Sequence, residues 1–246
     1  MSIEGKKIAL ITGANRGIGL ETARQLGAQG VTVLLGARDL EKADAAAATL
    51  KKEGIDARGV KLDVDSPADR SAVVREIEKD LGVLDILVNN AAVMLDQRGG
   101  NRTSTTSEDV LRKTFETNFF AVVALTQALL PLLRKSKAGR IVNVSSILSS
   151  MTLHATKGSP IYDAKTFAYD VSKTALNSFT IHLAHELADT KIKVNSSYPG
   201  WVKTEMGGEG ADMELVDGAK TSVWLATLPE SGPTGGHFHL GEPLLW

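Results

Sequence analysis

A tyrosine and a lysine stand four positions apart in "YDVSK", residues 169–173, within a run of helical period. Side chains at that spacing share one helix face, so a phenol and an ammonium can act on the same small volume. A free phenol ionises only near pH 10, roughly, and a nearby ammonium and a cationic nicotinamide ring both favour the phenolate. Two further polar residues belong with this pair: Asn118 inside a helical run, and Ser146 just after an apolar one. The four suit hydride transfer to a ketone, which leaves negative charge on an oxygen that must be stabilised and protonated. Tyr169 would donate the proton and Ser146 would hydrogen-bond the same oxygen. Lys173 would also hold the nicotinamide ribose, and Asn118 would keep a water in line with Lys173 so that the proton is replaced from solvent. Each residue has an ordinary alternative: tyrosine and lysine pairs occur on many helices, serines cap helices, and an asparagine can simply bond to backbone.

Such residues need a frame. Apolar runs bounded by turn residues lie at 7–12, 31–36, 58–63, 84–89, 139–145 and 193–199, with a weaker one at 237–240. Between them, stretches of helical period cover 17–29, 40–53, 67–81, 109–135 and 167–189. This alternation predicts a single α/β domain over residues 1–246: a doubly wound, Rossmann-type parallel sheet of about seven strands with helices on both faces. Two regions break the rhythm. Residues 147–166 predict an extended loop or short helix before Tyr169, and 203–214, with Gly207, Gly208 and Gly210, a lid over the substrate.

The first strand runs into "TGANRGIG" (12–19), where Gly13, Gly17 and Gly19 clear side chains from a tight turn that aims backbone N–H groups and a helix N-terminus at an anion. Asn15, Arg16 and Ile18 complete that turn. Arg38 follows the second strand in "LLGARD", at the edge where a dinucleotide fold meets the adenosine ribose. An acid there accepts from a 2′-hydroxyl, whereas an arginine pairs with a 2′-phosphate. NADP(H) is therefore expected in preference to NAD(H). Asp39 keeps NAD(H) open, although its better role is as cap of the helix starting at Leu40.

The chain resembles the short-chain dehydrogenase/reductase family along its whole length, through "TGANRGIG", "NNAA" (89–92), "TN" (117–118), "VNVSS" (142–146), "YDVSK" and "PGWVKT" (199–204), all in family order. The resemblance makes Ser146, not Ser145, the catalytic serine. It implies that Asp63 and Val64 contact the adenine end and that Asn90 and Ala91 pass beside the cofactor. It also implies that Pro199, Gly200, Val202 and Thr204 wrap the nicotinamide. Within the family the wording is closest to carbonyl-reductase-like members, which mostly use NADPH to reduce ketones and aldehydes. Two departures stand out: Ala92 replaces the usual glycine of that motif, and the Ser146–Tyr169 separation, 169 − 146 = 23 residues, is longer than in many members.

Met94, Leu148, Met151, Leu153, Trp201 and Met206 suggest an apolar pocket wall and a hydrophobic ketone. The expected activity is a reversible NADPH-dependent reduction of ketones or aldehydes. The alternatives are a 3-oxoacyl thioester reductase, which would need a basic surface for an acidic carrier, and a non-catalytic dinucleotide sensor. A net charge of −1 gives no field to hold a polyanion, so nucleic acid is not an expected partner. No run reaches the length of a membrane span, and the first residues read poorly as a signal peptide, so a cytoplasmic protein is expected. With no cysteine, disulfides and thiol catalysis are excluded. His182 and His185 lack zincin spacing, and no metal is assigned. The resemblance implies a dimer or tetramer assembled through the helices near 109–135 and 167–189, with the insert before Tyr169 leaving a monomer open.

Overall fold

The computed structural model describes residues 6–96 and 102–246. The chain begins with β1 (Ile8–Thr12), α1 (Gly17–Ala28), β2 (Thr32–Ala37), α2 (Leu40–Lys52), β3 (Ala57–Lys61) and α3 (Pro67–Asp80). It continues through β4 (Ile86–Asn89), α4 (Glu108–Phe115), a π-helical turn over Glu116–Phe120, α5 (Ala121–Leu133) and β5 (Arg140–Val144). The last elements are α6 (Met151–Ala155), α7 (Phe167–Glu186), β6 (Lys193–Ser197), α8 (Leu215–Ala226), β7 (His237–His239) and β8 (Glu242–Pro243). One sheet results, in the order β3-β2-β1-β4-β5-β6-β7-β8. All neighbours are parallel except β7 and β8. The eighth strand, two residues long, is one more than the sequence predicted.

Successive strand residues point to opposite faces, and β1 shows the consequence. Ile8 and Leu10 join a core with Val73 and Ile77 of α3, Leu125 and Leu129 of α5 and Leu183 of α7. Ala9 and Ile11 join a second core with Leu26 of α1, Leu50 of α2 and Val223 of α8. A strand buried on both faces must be apolar at every position, which is why these runs do not alternate. Each fully buried Leu or Ile contributes about 1.5–3 kcal/mol.

One expectation changes. The single helix expected over 109–135 is interrupted by the π turn that contains Asn118. An 18-residue window of Glu108–Leu133 has a mean hydropathy of 1.4, long and apolar enough to cross a membrane by those measures alone. Its apolar residues Leu125, Leu129, Leu132 and Leu133 instead face the sheet. Within the insert 147–166 a 3-10 turn covers Ile147–Ser149 and the short helix α6 follows, with turns leading on to Tyr169.

Candidate active site

The strand order reverses between β1 and β4, so the helices after these strands leave in opposite directions and open a crevice at the carboxyl ends. The glycine turn lies there. Gly17 takes φ +59°, where L residues are strained, and a Cβ added to it would find only Thr204 Cγ2, at 3.9 Å. Gly19 is the reverse case: its Cβ would stand 2.5 Å from Asn90 Nδ2 and 2.7 Å from the Gly13 carbonyl. Gly19→Ala is therefore expected to weaken dinucleotide binding about tenfold and to cost roughly 1–3 kcal/mol of stability, read by fluorescence titration with NADPH and by thermal melting.

Thr12 ties this turn to β4. Its hydroxyl accepts from the N–H groups of Asn90 and Ala91, each at 2.9 Å, and Asn90 Nδ2 donates to the Thr12 carbonyl at 2.8 Å. Helix α1 has no side-chain cap and no acid in its first turn, so its free N–H groups face the crevice without a built-in anion. Arg16 pairs with Glu205 across the mouth of the crevice, both side chains being mostly exposed. Arg38 is exposed at the end of β2, and the Asp39 carboxylate accepts from the N–H groups of Glu41 and Lys42, so it is spent as the α2 cap. Asp63 and Val64 follow β3 at the same sheet edge. This arrangement fits a dinucleotide phosphate group.

The four residues expected to react lie beside it. Lys173 is buried, and its ammonium donates to the Val144 carbonyl at 2.8 Å. That ammonium lies 5.6 Å from the centroid of the Tyr169 ring. Burial lowers the lysine from 10.5 to about 7. Asn118 is fully buried; its Oδ1 accepts from Val93 N–H at 2.8 Å, and its Nδ2 donates to the Val93 carbonyl at 2.8 Å and Ser172 Oγ at 3.0 Å. Both amide hydrogens are thus committed. Any water held for Lys173 would have to use the main chain, which the π turn displaces from the ordinary α-helical ladder.

Ser146 Oγ accepts from Leu148 N–H at 3.1 Å, and the residue keeps 8% exposure. Ser145 Oγ is sealed from solvent without a hydrogen-bond partner among the described residues, so of the two serines Ser146 keeps the greater exposure. Thr174 donates to the Ser149 carbonyl at 2.9 Å and Asn177 to Ser149 Oγ at 2.6 Å, lashing the chain after β5 to α7.

Residues 7–215 match the short chain dehydrogenase family. The chain is a short-chain dehydrogenase/reductase. Carbonyl reductase [NADPH] 1 of Mus musculus is 32% identical, over 94% of this chain and 95% of that protein. A 3-oxoacyl-[acyl-carrier-protein] reductase of Pseudomonas aeruginosa is 34% identical, over 85% and 78%. The solved structure of NADPH-bound carbonyl reductase from chicken fatty liver superposes with a TM-score of 0.84 at 26% identity, covering 98% of this chain and 99% of that one.

In this short-chain dehydrogenase/reductase, the other expected substrate and nicotinamide residues follow β4, β5 and β6. Gly200 takes φ +96°, and Val202 is buried and bridges to Met213, folding 203–214 back on itself. Thr204 Oγ1 accepts from Gly207 N–H at 2.9 Å. Trp201 donates from its indole to the Gly207 carbonyl at 2.8 Å. Met151, Trp201 and Met206 are exposed large apolar side chains, whereas Met94 and Leu148 are half-buried. Phe120 and Ile181, on the helices expected to mediate assembly, are also exposed. His182 and His185 are exposed on α7, and among the described residues no group of three His, Cys, Asp or Glu could hold a metal. Sequence reasoning missed Thr12 and Asp96. Thr12 opens the quoted glycine motif and could have been found by asking what anchors the turn.

Proposed function

We propose that this oxidoreductase reduces ketones and aldehydes reversibly with NADPH, taking hydrophobic substrates. The observation that carries the reading is the buried Lys173 ammonium, fixed on the Val144 carbonyl beside the Tyr169 ring. A cation so placed favours negative charge on the phenol oxygen and readies Tyr169 to exchange a proton with the substrate oxygen. Ser146, at the β5 exit, hydrogen-bonds the same oxygen as charge develops on it. Bound dinucleotide would supply the hydride. The glycine turn, Asn15, Arg16, Ile18 and Arg38 would hold its phosphates, with Asp63 and Val64 at the adenine. Asn90, Ala91, Lys173 and the 199–204 segment would lie along the nicotinamide end, and Asn118 fixes the Val93 chain against α7.

NADPH is preferred over NADH in this reading because Asp39 is occupied as a cap while Arg38 is exposed at the ribose edge. Arg38→Ala is expected to weaken NADPH about 10–100-fold with little change for NADH, since a charge-assisted bond to the 2′-phosphate is lost. Equal losses for both cofactors in a titration would remove that assignment. The cytoplasm is the proposed compartment, and a homo-oligomer through α4–α5 and α7 the proposed assembly.

The test is NADPH consumption, with NADH in parallel, on aryl ketones, aliphatic ketones, β-keto esters and an acetoacetyl thioester. Fast turnover of bulky apolar ketones supports the proposal. Turnover confined to the thioester would instead favour a 3-oxoacyl thioester reductase, the activity named for the Pseudomonas relative. Against that stands the acidity of 203–214, where Lys203 is already paired with Glu214, which suits an acidic carrier poorly.

A further inference from the structure

Helix α7 carries Tyr169 and Lys173, yet its own cap residue does not cap it. Thr166 stands at the N-cap without a side-chain bond to the first turn. Its hydroxyl donates to Asp170 Oδ1 at 2.6 Å, and its N–H to Asp170 Oδ2 at 3.0 Å. The N–H groups of Ala168 and Tyr169, in the first turn, then need other acceptors in a buried place, Ala168 being 0% and Tyr169 8% exposed. Both are taken by one distant carboxylate. Asp96 Oδ2 accepts from Ala168 at 2.7 Å and Oδ1 from Tyr169 at 3.1 Å, and Asp96 is itself only 5% exposed.

The chain that brings Asp96 there is pinned twice before it arrives. Asn90 and Ala91 hang on Thr12 beside the glycine turn, and Val93 is held by both ends of the Asn118 amide. The third attachment is Asp96 on α7, so one continuous segment joins the cofactor crevice to the backbone of the reacting tyrosine. We propose that Asp96 is a positioning residue, whose carboxylate caps the reacting helix at Ala168 and Tyr169 and sets the phenol relative to the β4 exit. The inference rests on the proposed role of Tyr169.

Among the described residues, three charged groups face this cap or its helix. Asp170 faces it from α7 itself, held above the usual carboxylate range by burial and, to a smaller degree, by the charge of Asp96. His154 of α6 stands 3.4 Å from Asp170 and contacts Lys165 Nζ at 2.8 Å, and Lys173 lies beyond the Tyr169 ring. A carboxylate at the first turn opposes the positive end of the helix and adds its own negative charge beside the phenol. Removing that charge favours the ionised phenol, so the pH limb of alcohol oxidation moves to lower pH.

The variants are Asp96→Asn, which keeps the shape and one acceptor, and Asp96→Ala, with Tyr169→Phe as control. Turnover, NADPH affinity, the pH profile of alcohol oxidation and amide exchange at residues 168 and 169 are measured on each. The expected result is a fall in kcat of about tenfold for Asp96→Asn and about a hundredfold for Asp96→Ala, the scale of a small misplacement. KM and NADPH affinity hold, the pH limb moves to lower pH, and exchange quickens at 168 and 169. A kcat loss that merely tracks lowered thermal stability, with the limb unmoved, overturns the proposal. Should Asp96→Ala fail to fold, Asp96→Asn alone decides through its pH limb and exchange. If wild type turns over no substrate, the proposed function falls, and unchanged exchange at 168 and 169 in Asp96→Asn overturns the cap separately.

Discussion

Tyr169→Phe is expected to lower turnover about 10³-fold, within the range that a positioned general acid contributes, while NADPH binds as before. The ring is 8% exposed and lies on the Lys173 side of α7, so losing one oxygen leaves the packing and the Asp96 cap in place. The phenol acts only when the carbonyl oxygen acquires charge, so its loss falls on kcat and kcat/KM together rather than on KM. Circular dichroism and thermal melting should match wild type. Turnover of the variant within tenfold of wild type would place the proton donor elsewhere. Wild type and variant equally inactive on the whole panel, both binding NADPH, would raise the sensor reading instead.

The parts of this site that were legible are those whose chemistry is written in consecutive residues. The glycine turn is local because a tight turn, a positive φ and a close approach to Asn90 all fall within "TGANRGIG". Tyr169 and Lys173 share a face by helical period alone, and the strands could be read because burial on both faces demands unbroken apolar runs. Helix α8 was not read, and its composition explains why. Its buried face includes Gly218, where a Cβ would stand 2.5 Å from Val202 Cγ2. It also includes Ser222, whose hydroxyl meets Ser197 Oγ at 2.9 Å, and Thr221, which accepts from Leu240 N–H at 2.9 Å. Gly218, Thr221 and Ser222 interrupt the apolar stripe made by Ala219, Val223, Leu225 and Ala226, which weakens its 3.6-residue signal. The π turn at Asn118 has no local signature either. Asp96 is a lone acid in a loop, and its meaning lies in two N–H groups 72 and 73 positions away.

Lys173→Met is expected to abolish turnover and yet stabilise the unliganded protein at neutral and lower pH. In the unfolded chain the amine keeps its ordinary value of 10.5, and burial lowers it to about 7 in the folded protein. Between those values the unfolded chain binds more protons than the folded one, so stability rises with pH across the window. The burial penalty is fully present below about pH 7. At about 1.4 kcal/mol per unit, its ceiling is roughly 5 kcal/mol. Methionine fills similar space without a charge, but it strands the Val144 carbonyl that Lys173 now satisfies, returning about 1–3 kcal/mol. The net gain is a few kcal/mol near pH 6, or on the order of 5–10 °C in Tm for a chain of this size. Wild type should draw level and then exceed the variant as pH approaches 10.5, where its lysine is neutral in the folded protein and half-neutral in the unfolded chain while the bond to Val144 remains. A variant less stable than wild type at every pH would mean that the lysine is held as a structural cation, without strain. The predicted crossover would show instead that the fold tolerates a costly buried amine because the reaction needs it beside the phenol.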